Sequence, residues 1–159
     1  MIKLPKNIKF VITDFDGIIT DNCVYIDEKG NMSRKLNFKD IMAFSLLKKN
    51  GYNVAIISGE ANSSIEVLAE KFDIKEVYQG VRNKLDILKN IVYNYSLTEE
   101  EFIYVGDDVN DFDSFIFAIY SVTVPNAVDK IKKIEKIQIT DNVGGNGAFR
   151  EIVDSILYQ

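Results

Sequence analysis

The chain has 159 residues, 47% hydrophobic and 27% charged, with a net charge of -5. That length suits one domain able to bury its own core, and the ordinary composition excludes a disordered or low-complexity chain. The acidic balance, with lysines mixed among acids as in "DKIKKIEK", offers no field for a phosphate backbone, so nucleic acid is excluded as an expected partner.

Residues 8–15 read as a buried strand running into "DFDG". Next comes "VYIDEKGNMSRKLNF", two extended arms around the turn formers of "DEKGN", which reads as a β-hairpin inserted over about residues 22–38. Asp21 is expected to anchor its start. Residues 40–50 form a helix with Ala43, Leu46 and Leu47 inward and Gly51 as its stop. A strand over 54–57 precedes a helix carrying Ala61, Ile65, Leu68, Ala69 and Phe72 at helical spacing. "EVYQG" is a third strand, followed by a helix marked by Leu85, Leu88, Ile91 and Val92; "FIYV" is a fourth, followed by a helix over 111–119. "SVTV" with Val128, Ile131 and Ile134 repeats the unit, and "IQIT" with a helix over about 146–157 closes the chain. Strands separated by single helices make βαβ units. The expected fold is therefore α/β, a doubly wound, mostly parallel Rossmann-like sheet with an inserted β-hairpin. It is read as one domain over residues 1–159, with a C-terminal tail at about 141–159.

Cys23 is the single cysteine, so no intrachain disulfide can form and nothing points to an oxidising compartment. The opening "MIKLPKNIKF" lacks a signal peptide's apolar stretch, and no later run approaches ~18 apolar residues. A cytoplasmic protein with no membrane partner is expected. There is no histidine, the commonest general base and transition-metal ligand. Chemistry must run on carboxylates, lysine, hydroxyls or a hard metal ion.

In such sheets ligands bind outside the carboxyl ends of the strands. Asp14, Asp16 and Gly17 end the first strand, Ser58, Gly59 and Glu60 the second, and Gly106, Asp107 and Asp108 the fourth, with Asp111 one turn on; Lys84 begins the helix after the third. Asp14, Asp16 and Asp107 held together would repel unless a cation joined them. Oxygen-only ligands point to Mg2+, which keeps several waters and engages phosphate. One carboxylate could then attack phosphorus while another, two residues on, handles protons.

"DFDG", "IISG", Lys84 and "GDDVND", in this order, resemble the four signature motifs of the haloacid dehalogenase superfamily of phosphohydrolases. The resemblance implies Asp14 as nucleophile, Asp16 as general acid/base, Ser58 as a donor to phosphate and Lys84 as charge stabiliser. It implies Mg2+ held by Asp14, the carbonyl of Asp16, and Asp107, with Asp108 and Asp111 positioning Lys84 or metal-bound water. No segment is long enough for the cap domain that many members carry. "LNFKD", "YQGVRNK" and "GGNGAFRE" extend the resemblance to the capless phosphatases of 3-deoxy-2-ulosonate sugar acids. That branch implies a homotetramer built through the hairpins, with Arg150 reaching towards a neighbouring site to meet the carboxylate of a small sugar-acid phosphate. Gly144, Gly145 and Gly147 also read as a flexible loop.

Glu60 stands where many eight-carbon enzymes of the branch have arginine. Together with Lys71 it resembles the nine-carbon branch, so a nine-carbon 2-keto-3-deoxy acid 9-phosphate is the expected substrate, with Gly59, Glu60, Lys71 and Arg150 binding it. The alternatives are the eight-carbon 8-phosphate and, in another class, a receiver-like phospho-accepting signalling domain. The signalling design wants an acceptor aspartate after the third strand, where this chain has Gln79 and Gly80. Ile41 replaces a glycine found in many relatives, which leaves the role of Asp40 open.

Overall fold

β1 (Phe10–Thr13) runs through the middle of the sheet in the computed structural model, which describes residues 2–158. Its side chains alternate between two core layers: Phe10 and Ile12 join one, Val11 the other. A parallel strand covered on both faces requires this, with period 2 and apolar residues on each side. The inserted hairpin follows as β2 (Tyr25–Ile26) and β3 (Met32–Ser33), antiparallel and shorter than its sequence arms. In its turn Asp27 Oδ1 accepts from the amides of Lys29 and Asn31, both at 2.9 Å.

The chain continues through α1 (Phe38–Lys49), β4 (Asn53–Ile57), α2 (Ser63–Phe72), β5 (Glu76–Tyr78) and α3 (Lys84–Asn94). After β6 (Phe102–Val105) come a 3-10 turn (Val109–Asp111), α4 (Phe112–Phe117), β7 (Ser121–Thr123), α5 (Asp129–Lys132), β8 (Gln138–Ile139) and α6 (Ala148–Leu157). The sheet order is β5-β4-β1-β6-β7-β8 and every neighbouring pair is parallel. This is the doubly wound sheet that the element rhythm implies. Strand succession leaves β1 towards β4 but resumes on its other side at β6, which opens a crevice outside the carboxyl ends of β1 and β6. One layer of core is built by α1, α2 and α6 through Phe44, Leu47, Ile65, Leu68, Phe149 and Ile152. The other is built by α3, α4 and α5 through Leu88, Ile91, Phe115 and Ile131. Among the described residues there is no separate cap domain, and no helix is long and apolar enough to cross a membrane.

Helix ends differ from the periodicity reading for local reasons. α1 begins at Phe38 because Asn37 Oδ1 accepts from the Lys39 amide at 2.8 Å. α6 begins only at Ala148, since Gly147 sits at φ +100, outside the helical region. Its free amides are capped from a distance: buried Asp40 of α1 accepts from Gly147 N at 2.9 Å and Arg150 N at 3.0 Å. That gives Asp40 the role its local sequence left open. Burial pushes its carboxyl above the ordinary value, although these amides pull the other way.

The tail glycines are not a flexible loop. Gly144 and Gly145 are buried against the 17–21 segment, with Gly145 N donating to Ile18 O at 2.9 Å. A Cβ on Gly144 would lie 1.7 Å from Gly17 O, and one on Gly145 2.3 Å from Asp21 N. Only glycine lets the two backbones approach this closely.

Asp40→Ala should lower the unfolding free energy by about 1–2 kcal/mol through the lost cap. Asp40→Asn keeps one acceptor and should lose less. Urea unfolding midpoints of both variants check this, and equal midpoints for wild type and Asp40→Ala would exclude the capping role.

Candidate active site

Lys84 is the centre of the crevice. Its side chain is fully buried, with Nζ 2.7 Å from Asp14 Oδ2 and 2.7 Å from Asp111 Oδ1. Asp14 follows the last residue of β1, and its Oδ1 accepts from the Phe15 amide at 2.6 Å. Asp111 ends the 3-10 turn and is satisfied on both oxygens. Oδ1 also accepts from Tyr104 Oη at 2.6 Å, and Oδ2 accepts from the amides of Asp107 and Asp108 at 3.0 and 3.2 Å. Burial works against a charge on Lys84, but Asp14 and Asp111 outweigh it and hold its pKa above the ordinary lysine value. Its two carboxylate partners thus favour the charged amine.

Asp107 is buried, and among the described residues its one side-chain hydrogen bond is a long 3.4 Å contact from Asn22 Nδ2. Burial, then the charges of Asp111 and Asp108, push its pKa up to about 7. Burial followed by Asp111 likewise pushes Asp14 well above the ordinary carboxylate range. Carboxyl oxygens of Asp14, Asp107 and Asp111 lie within 4.8 Å of one another. Such a cluster of under-compensated, oxygen-only donors fits Mg2+, whose charge would reverse both shifts. Since Asp111 already takes four hydrogen bonds, Asp14 and Asp107 carry the free ligand atoms within the cluster. Gly17, at φ +86, passes so close that a Cβ would lie 1.9 Å from Asp107 Oδ2. The glycine of "DFDG" is thus required by the acid of "GDDVND".

The cleft above this cluster encloses about 420 Å³ and brings Asp14, Asp16, Ser58, Gly59, Glu60, Asp107 and Asp108 to its wall. Ser58 is buried; its Oγ donates to Glu60 O at 2.7 Å and accepts from Glu60 N at 3.2 Å. Asp108 accepts from the Val109 amide at 2.6 Å and so caps the 3-10 turn, an organising role. Two residues named from the sequence lie elsewhere. Lys71 is exposed on α2 with its amine over the Phe72 ring, and it does not line the cleft. Arg150 pairs with Asp154 at 2.7 Å in a separate hollow of about 600 Å³. A larger groove of about 950 Å³, bounded by Phe112, Ile116, Ile134 and Lys130, has a single acid, Glu135, so volume alone does not mark the site.

The sequence reading missed Asn22, Arg82 and Asn110 on the cleft wall. It also missed Arg34, whose Nε lies 2.7 Å from Asp16 Oδ1, and Tyr104. Tyr104 carried a usable signal, because a tyrosine inside a fully buried strand needs a partner for its hydroxyl. The others lie on loops, the hairpin or the short 3-10 turn, where no periodicity says which way a side chain points.

Mg2+ and protons should compete for Asp107. With its pKa at about 7, the apparent Mg2+ dissociation constant should rise about tenfold per pH unit below that value. In the unfolded chain the group titrates near ~3.9, so between these values the folded, metal-free protein holds the extra proton. Its stability should fall as pH rises through this window. Thermal midpoints in EDTA and in Mg2+ should diverge from pH 5.5 to 8, and a constant gap would refute the assignment.

Residues 54–152 match the family of haloacid dehalogenase-like hydrolases. The chain is 30% identical over 152 residues to the 3-deoxy-D-manno-octulosonate 8-phosphate phosphatase of Haemophilus influenzae, covering 96% of this chain and 84% of that one. The Moraxella catarrhalis enzyme of that name, solved with magnesium, phosphate and KDO, matches at TM-score 0.89 and 29% identity over 96% of this chain and 87% of that chain. The Yersinia pestis structure matches at TM-score 0.89 and 30% identity, over 96% and 82%. These relatives are named for an eight-carbon acid, and that finding overturns the nine-carbon expectation drawn from Glu60 and Lys71. With matches of this extent over a crevice where the four motifs meet, the chain belongs to the haloacid dehalogenase-like hydrolases, in the capless branch close to the 3-deoxy-D-manno-octulosonate 8-phosphate phosphatases.

Proposed function

We propose that the protein is a Mg2+-dependent phosphohydrolase of an eight-carbon 2-keto-3-deoxy sugar-acid 8-phosphate, acting through an aspartyl-phosphate on Asp14. The observation that carries this reading is Asp14 held at 2.7 Å by buried Lys84 beside Asp107, in a cleft sized for a small molecule. Asp14, the Asp16 carbonyl and Asp107 would hold Mg2+, which would supply positive charge against the phosphoryl oxygens. Lys84 adds a second cation, and the Ser58 hydroxyl, which donates to Glu60 O in the empty cleft, would turn that proton to a phosphoryl oxygen. Asp14 attacks phosphorus; the bond to the sugar oxygen breaks, and Asp16 gives that oxygen its proton. Asp16 then takes a proton from the water that displaces Asp14 and releases phosphate.

Glu60 does not exclude the eight-carbon acid, because the cleft has another cation. Of the three arginines, Arg34 pairs with Asp16 and Arg150 with Asp154, which leaves Arg82 on the cleft wall without an ion pair among the described residues. Its guanidinium fork suits the sugar-acid carboxylate.

A homotetramer through the hairpins fits the exposure there: Tyr25, Ile26 and Met32 are 60%, 67% and 59% exposed, an apolar patch that a monomer would leave wet. A second copy over the open cleft would exclude bulk water in place of a cap.

With Mg2+, kcat/KM for the eight-carbon 8-phosphate should exceed that for a nine-carbon 9-phosphate by more than about tenfold, roughly 1.4 kcal/mol of discrimination. The reverse preference overturns the substrate. Arg82→Ala should raise KM for the sugar acid far more than for p-nitrophenyl phosphate, which has no carboxylate. Ile26→Asp should shift the assembly from tetramer towards monomer in light scattering and lower kcat together with it; a monomeric wild type would end that part of the reading.

A further inference from the structure

Asp16 is the crevice acid that pairs with the second arm of the inserted hairpin. Its Oδ1 accepts from Thr20 Oγ1 at 3.1 Å and from Arg34 Nε at 2.7 Å, while its Oδ2 has no hydrogen-bond partner among the described residues. The Arg34 side chain is only 5% exposed, against 22% for Asp16, and Asp16 is its carboxylate partner. Arg34 immediately follows β3, and the two residues after it bind the same loop. Lys35 Nζ lies 2.6 Å from Asp21 Oδ2, and Leu36 bridges Thr20 in antiparallel fashion. Three consecutive residues of the hairpin's second arm are thus fastened to the segment that carries Asp16.

We propose that Arg34 is a positioning residue for the general acid/base: it clamps Oδ1 of Asp16 so that Oδ2 is the atom that delivers and recovers the proton. This rests on the phosphatase reading and adds to it a residue that none of the four motifs contains. A carboxylate on a short side chain rotates freely unless one oxygen is fixed, and proton transfer needs the other within hydrogen-bond reach of the leaving oxygen. Guanidinium suits the clamp because it stays protonated and so cannot become a competing acid. In the first half-reaction the Oδ2–H bond breaks and its proton goes to the sugar oxygen as the phosphorus–oxygen bond breaks. In the second, a water O–H bond breaks, its proton goes to Oδ2, and the water oxygen bonds to phosphorus as the Asp14–phosphorus bond breaks. Arg34 itself exchanges no proton. The hairpin's exposed apolar side and its buried Arg34 then belong to one element, which links whatever covers the hairpin to the geometry of Asp16.

The test uses leaving groups. A sugar alkoxide leaves poorly without a proton, whereas p-nitrophenolate hardly needs one. Both kcat/KM values report steps up to the aspartyl-phosphate. Arg34→Ala, assayed as the full-length protein with Mg2+, should lose at least about tenfold more kcat/KM on the eight-carbon 8-phosphate than on p-nitrophenyl phosphate. Arg34→Lys, which keeps the charge without the fork, should give a smaller loss of the same selectivity, and guanidinium ion should partly restore Arg34→Ala. Lys29→Ala, at an exposed residue in the turn of the same hairpin, should leave the ratio of the two esters unchanged, and a shift as large as that of Arg34→Ala would count against the clamp. Equal losses on both esters, or no loss on either, would overturn the proposal. Should Arg34→Ala fail to fold, the ester ratio of Arg34→Lys decides in the same way. Wild type inactive on both esters would overturn the phosphatase reading, and the role of Arg34 with it.

Discussion

A lysine ammonium sealed between two carboxylates organises the molecule. Lys84 touches Asp14 and Asp111, and its side chain is fully buried. Taking such a group out of water costs several kcal/mol and is offset only by good geometry and complete hydrogen bonding. The geometry comes from three separate chain segments: the end of β1, the start of α3 and the turn after β6. Asp111 completes it with Tyr104 and two backbone amides, so no lone pair meant for Lys84 is diverted. The network therefore does two things at once. It closes the sheet at its switch point, and it presents Asp14 with a fixed positive neighbour before any substrate arrives.

Around that network the catalytic loop is held by close approach rather than by side-chain bulk. Gly17 lets the 14–17 turn lie against Asp107, and Gly144 and Gly145 let the C-terminal segment lie against the 17–21 backbone. Asp40 then ties α1 to the start of α6, so the segment that presses on the loop is itself anchored. The second arm of the hairpin closes the remaining side through Arg34, Lys35 and Leu36. Asp14 and Asp16, the proposed nucleophile and acid/base, are in this way held by packing from several sides. Catalysis depends on such placement, and this packing restricts how far the loop can move.

Specificity shows how a residue type can mislead when its position in space is not known. Glu60 lines the cleft, as its place after Ser58 and Gly59 implies, but Arg82 lines the same space with the opposite charge. Lys71 is on the outer side of α2 over Phe72 and does not line that space in its own chain. Residues near a motif in sequence are not thereby near it in the fold, and the sum of charges around a cleft decides more than any one of them.

The doubly wound sheet, the hairpin and the acids at the strand ends were legible in the sequence, because strand and helix periodicities are local and because a parallel sheet puts every strand's carboxyl end on one edge. The four motifs were legible for the same reason: each occupies the turn just after a strand or at the start of a helix. Contacts between distant segments were not. Asp40 meets α6 more than a hundred residues on, Arg34 meets Asp16 across the hairpin, Tyr104 reaches Asp111, and two glycines of the tail press on the first loop. Local patterning determines which elements form and where their polar ends lie. Which side chains meet there depends on how far apart packed helices and crossing loops hold the backbones, a distance no short stretch of sequence encodes.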